Sequence, residues 1–113
     1  MDQLTTNHDV VIVPNMKAVA LIRRRVVLAI DTFAEIAVWR VSEPVHPSLH
    51  LFKYRLAYVV KDECVLRYDN ERGKGDHRHF GPDEMPYAFL TPDQLMLDFN
   101  ADITRWNHEY GRS

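Results

Sequence analysis

The chain has 113 residues, 46% hydrophobic and 27% charged, enough apolar matter for one core and too much for an intrinsically disordered protein. Fourteen Lys and Arg against sixteen Asp and Glu give a formal charge of −2, which excludes a generally basic nucleic-acid coat. One cysteine, Cys64, excludes an internal disulfide framework, and no run approaches membrane-spanning length. The expectation is a cytoplasmic protein without a membrane partner.

Residues 1–15 contain no Lys or Arg, and Pro14 precedes Met16. They read as an N-terminal extension, either vector-derived, mis-called from an upstream start, or a short leading strand through Val10 to Val13, with one domain over residues 16–113. Lys17 to Leu28 is β-rich around Arg23, Arg24 and Arg25. Three adjacent arginines cannot all point inward, so an edge or exposed turn is expected there. After a turn at Asp31-Thr32, Phe33 to Val41 forms a strand. Phe33, Ala37, Trp39 and Val41 share one side with Glu35, and Ala34, Ile36 and Val38 share the other with Arg40. Apolar residues on both sides suit a central strand.

Pro44 and Pro47 place a loop at residues 42–48, with His46 within it and His50 just beyond. Leu51 to Lys61 alternates most clearly: Phe52, Tyr54, Leu56, Tyr58 and Val60 on one face, Lys53, Arg55 and Lys61 on the other. Asp62-Glu63 turns the chain and Cys64 to Asp69 returns antiparallel. Whether Arg67 and Asp69 join the apolar or the cationic face depends on register, because one residue of slip flips every side chain.

The richest stretch runs from Arg67 to Phe80. Gly73 and Gly75 flank Lys74, a pattern that exposes backbone N–H groups to an anion. In Asp76-His77-Arg78-His79, an extended chain puts the two histidines on one face and Asp76 and Arg78 on the other. Two imidazoles sharing one ligand can act as general base and general acid, with Lys74 and Arg78 stabilising charge on a phosphate and Asp69 or Asp76 orienting one ring. This is the chemistry of a metal-independent ribonuclease, with Gly73, Gly75, Arg67, Arg55 and Lys53 as substrate-binding candidates. It requires no metal and no cofactor. A competing chemistry uses His77, His79 and one of the two aspartates as ligands of a divalent cation in a metal-dependent nuclease. A third reading is non-catalytic: the cations grip RNA or an acidic protein surface and act by occupancy.

Pro82-Asp83-Glu84 reads as a polar loop, and Pro86 to Leu90 as a short strand or extended lead-in. Thr91-Pro92-Asp93-Gln94 is a helix start, with Thr91 as N-cap, Pro92 in the first turn and Gln94 completing a capping box. Met96, Phe99, Ile103, Trp106 and Tyr110 then form an apolar stripe, and Gly111 ends the helix. The fold class expected is α+β, a twisted, mainly antiparallel sheet covered by one long C-terminal helix.

Several of these stretches, taken together, resemble the TumE family of small bacterial and archaeal proteins. They are Met16-Lys17-Ala18, the arginine run, Glu35 with Val38-Trp39-Arg40-Val41, Lys53-Tyr54-Arg55-Leu56 and, above all, Leu66 to His79. The resemblance begins near Met16 and runs to the C-terminal helix. It implies a cytoplasmic toxin of a two-gene toxin–antitoxin module, with a cognate antitoxin that carries a DNA-binding module. The catalytic assignment of His77 and His79, with RNA as substrate, is a reading of the residues and not of the resemblance.

Overall fold

The computed structural model describes residues 10–13 and 16–111; the rest of the expected extension, residues 1–9 and 14–15, lies outside them. Seven strands follow one another in space in the order of the sequence: β1 (Val10–Val13), β2 (Met16–Ala29), β3 (Thr32–Val41), β4 (Phe52–Val60), β5 (Glu63–Glu71), β6 (Gly75–Phe80) and β7 (Asp83–Pro86). All neighbours are antiparallel, and helix α1 (Pro92–Glu109) follows. The α+β architecture is thus an antiparallel meander with one long helix. No described helix is long and apolar enough to cross a membrane.

The Val10–Val13 segment, expected within an extension, pairs with the start of β2. The arginine run lies inside β2 and makes no turn; it is exposed and, among the described strands, pairs only with β3, so it lies on an edge as expected. Asp83 and Glu84, read as loop, belong to β7, and the strand expected from Pro86 onward stops at Pro86.

One face of the sheet forms the core. Ala34, Ile36, Val38, Tyr54, Leu56, Tyr58, Leu66 and Tyr68 are buried there, with Leu95, Phe99 and Trp106 of α1. Thr91 caps the helix by accepting from the Gln94 N–H at 3.0 Å. The Gln94 side chain, expected to complete the capping box, donates to Asp98 instead. The buried stripe is Leu95, Phe99, Asp102 and Trp106; Met96 and Ile103 pack at its margin, and Tyr110, placed on the stripe from sequence, is exposed. Asp102 is tolerated inside because it accepts from the Tyr68 hydroxyl at 2.6 Å and pairs with Arg78 at 3.1 Å. Among the described residues, no helix covers the opposite face. At one end, the loop between β3 and β4 drops Val45 onto Ala18, Val41 and Trp39.

Candidate active site on the open face of the sheet

A one-residue bulge places the charges of β5. The hairpin between β4 and β5 turns through Lys61 and Asp62, both at positive φ, and pairs Val60 with Glu63 and Val59 with Cys64. Carried on without a break, that register would put Val65 opposite Tyr58 and send Arg67 and Asp69 to the helix face. Instead Tyr58 pairs with Leu66, leaving Val65 as the extra residue. Leu66 and Tyr68 therefore enter the core, and Arg67 and Asp69 join the cationic face, which settles the register that local pattern leaves open.

Two cross-strand rows result on the open face. One runs Arg23, Ala37, Arg55, Asp69, His77, Pro86 from β2 to β7; the next runs Arg25, Glu35, Ala57, Arg67, His79, Glu84. His77 and His79 do share a face, with ring centroids 5.3 Å apart. His77 Nδ1 faces the Gly75 carbonyl at 3.0 Å, which sets that nitrogen as the donor. Its Nε2 lies 2.7 Å from Asp69 Oδ1, and 3.6 Å from the exposed Glu84 carboxylate. Arg67 reaches both aspartate and histidine: Nη2 is 2.9 Å from His79 Nε2, and Nε is 3.4 Å from Asp69 Oδ2. Burial, reinforced by the Arg67 charge, lowers the His79 pKa below its ordinary 6.5, so the ring favours its neutral form. Lys74 sits 3.6 Å from Glu84, and Lys74, His77, Glu84, Met85 and Pro86 line a cavity of about 310 Å³.

Asp69 Oδ1 and His77 Nε2 are both buried, and neither has a hydrogen-bond partner despite their closeness. Two lone-pair atoms facing each other in a low-dielectric site require a proton or a cation between them. Asp69, His77 and His79 present ligand atoms all within 4.8 Å of one another, the set among the described residues that could hold a metal ion.

Asp76 and Arg78 point to the helix face. Asp76 accepts from Ser48 and from Tyr54 at 2.9 Å, and meets His50 at 2.6 Å; burial beside this carboxylate raises the Tyr54 pKa. His50 thus touches the central segment, away from His77 and His79. Arg78 is tied to Asp102. The Gly73 N–H donates to the His46 carbonyl at 2.7 Å and the Lys74 N–H to Glu71, so these amides close a turn. Gly75, at φ +77°, lies where a Cβ would meet Pro47 at 3.1 Å. Lys53 Nζ donates to the Asn70 carbonyl at 2.6 Å, and burial lowers its pKa. Arg55 is exposed opposite Asp69.

Glu84 escaped the sequence reading. The signal for it was Gly81-Pro82, which as a two-residue hairpin turn pairs Phe80 with Asp83 and hence His79 with Glu84.

The model of a protein family described as toxin TumE matches residues 3–107 of the chain, a span that includes β1 and begins before the expected domain boundary. No curated protein and no solved structure matches.

Proposed function

The chain belongs to the TumE toxin family, and from that premise we propose that it arrests growth by cutting RNA at the Asp69, His77, His79 and Arg67 cluster, without a metal. The observation that supports this is the meeting of a neutral-tending imidazole, a carboxylate-held imidazole and a guanidinium on the face opposite the helix, beside a cavity lined by Lys74. A cognate antitoxin with a DNA-binding module is the proposed partner.

In the ground state Glu84 holds the position that an anion would take, within 3.3–3.6 Å of His79, His77 and Lys74. A substrate phosphate displaces this exposed carboxylate and draws the Arg67 guanidinium, leaving His79 Nε2 free. His79 then takes the proton from the ribose 2′-hydroxyl as its oxygen attacks phosphorus. The bond to the 5′-oxygen breaks, and the proton between His77 Nε2 and Asp69 Oδ1 passes to that leaving oxygen, Nδ1 staying on the Gly75 carbonyl. The products are a 2′,3′-cyclic phosphate and a 5′-hydroxyl. Lys74 and Arg67 stabilise charge on the non-bridging oxygens. Lys53 and Arg55, from the adjoining strand, contact the flanking backbone. Gly73 and Gly75 serve by shaping the turn that presents Lys74, whereas Asp76 and Arg78 brace β6 from behind.

The orphaned Asp69 Oδ1 and His77 Nε2 favour a second reading, in which Asp69, His77 and His79 hold a divalent cation. Such an ion would supply an activated water. Incubating the protein with total cellular RNA, with and without EDTA, beside a His77→Ala/His79→Ala variant separates these readings. Cleavage that survives EDTA and vanishes in the variant is the expected result; cleavage lost to EDTA promotes the metal. If no RNA is cut and His77→Arg stays toxic, the protein acts by occupancy.

A further inference from the structure

A second cavity, of about 370 Å³, opens on the sheet beside the candidate site and is lined by Arg23, Arg24, Glu35, Ile36, Trp39 and Arg55, among others. Three arginines and one carboxylate are among its lining residues, and that carboxylate, Glu35, is paired with Arg25 at 3.8 Å. The row Arg23, Ala37, Arg55, Asp69, His77, Pro86 ties the two cavities together, its first three residues lining this cavity and His77 and Pro86 lining the one at Lys74. Strands lie about 4.8 Å apart, so Arg23 stands about 14 Å from Asp69. Arg55 stands one strand away.

We infer that the arginine cavity is a subsite for a nucleotide flanking the scissile phosphate, so that the substrate is single-stranded RNA laid across the strands from β2 to β7. This inference rests on the proposed RNA chemistry. A planar guanidinium engages a phosphate bidentately, and a basic groove with an aromatic wall, here Trp39, suits an unpaired strand more than a duplex. An acidic antitoxin segment would also be drawn to arginines. RNA is favoured because the cavity shares its row with the reacting residues, so a strand seated at His77 runs directly into it.

The test measures binding apart from cleavage. A fluorescent single-stranded RNA of about twelve nucleotides is titrated against the His77→Ala/His79→Ala protein, with and without Arg23→Gln and Arg55→Gln. Affinity should fall about tenfold or more, with a salt slope shallower by about 0.7 for each phosphate no longer neutralised. Arg23→Lys and Arg55→Lys, which keep the charge, should recover part of the affinity. In the active protein Arg23→Gln should raise KM for the long RNA without lowering kcat, and should matter least for a dinucleotide, which cannot reach from His77 to Arg23. Unchanged RNA affinity overturns the subsite, as does an equal loss on the dinucleotide. Retained RNA affinity with lost antitoxin neutralisation would assign the cavity to the protein partner instead. Absence of cleavage by the unaltered protein would refute the proposed reaction, while the binding comparison would still decide the subsite.

Discussion

The two faces of the sheet treat buried polar groups in opposite ways. On the helix face they are matched: Asp102 with Tyr68 and Arg78, Asp76 with Ser48, His50 and Tyr54, and Asn70 with the Phe52 carbonyl and the Tyr54 N–H. On the open face several are not. Among the described residues, the buried side-chain atoms without a hydrogen-bond partner are Trp39 Nε1, Arg67 Nε, Asp69 Oδ1 and His77 Nε2, and all four residues belong to that face. A buried unsatisfied group costs roughly 1–3 kcal/mol, so one face is arranged for stability and the other holds polar atoms that a ligand, proton or ion would satisfy. The same β6 strand serves both, Asp76 and Arg78 behind, His77 and His79 in front.

That contrast is open to experiment. The largest effect should come from the open face: His77→Ala/His79→Ala lowers RNA cleavage by about 10²- to 10⁴-fold while near-ultraviolet dichroism and the urea midpoint stay close to the original. If the double variant unfolds, the open face is structural and the contrast fails. Next, Asp102→Ala strands the partly buried Arg78 charge and the Tyr68 hydroxyl, and should cost about 2–4 kcal/mol of stability. Urea denaturation reads it, and an unchanged midpoint would show that the helix face does not depend on its polar pairs. A smaller effect, in the favourable direction, is expected from Glu84→Gln, which removes the internal anion competing with phosphate. KM for RNA should fall severalfold, whereas a rise would make Glu84 a substrate contact.

The smallest effect is in pH dependence. Because the fold lowers the His79 pKa, chiefly by burial, the folded protein binds fewer protons than the unfolded chain just below pH 6.5. Stability therefore rises with pH across that window and levels off above it. The rising limb of kcat/KM should have its midpoint below 6.5, and replacing His79 by Ala should flatten the matching slope in stability. A midpoint above 6.5 would remove His79 as the base.

Much of this was legible in short stretches. Alternation in Phe52 to Val60 revealed which residues face the core, since successive strand side chains oppose one another, whereas Phe33 to Val41, apolar on both sides, left its core face open. Thr91-Pro92 marked the helix start through capping chemistry that is local by nature. The shared face of His77 and His79 and the exclusion of Asp76 and Arg78 from it follow from the same two-residue period.

Only the tertiary structure decided the rest. The bulge at Val65 sends Asp69 to meet His77, and nothing in Glu63 to Asp69 announces it, because register is settled by how Leu66 and Tyr68 fill the core beneath Phe99. Glu84 joins the site through pairing across a hairpin, and Gly75 is needed because Pro47, from the loop between β3 and β4, crosses it. Asp102 could be buried only where Arg78 and Tyr68 were already waiting. A sequence carries the period of each strand, whereas the offset between strands is a property of the packed sheet. In this protein that offset, one residue in β5, brings Asp69 to the two histidines.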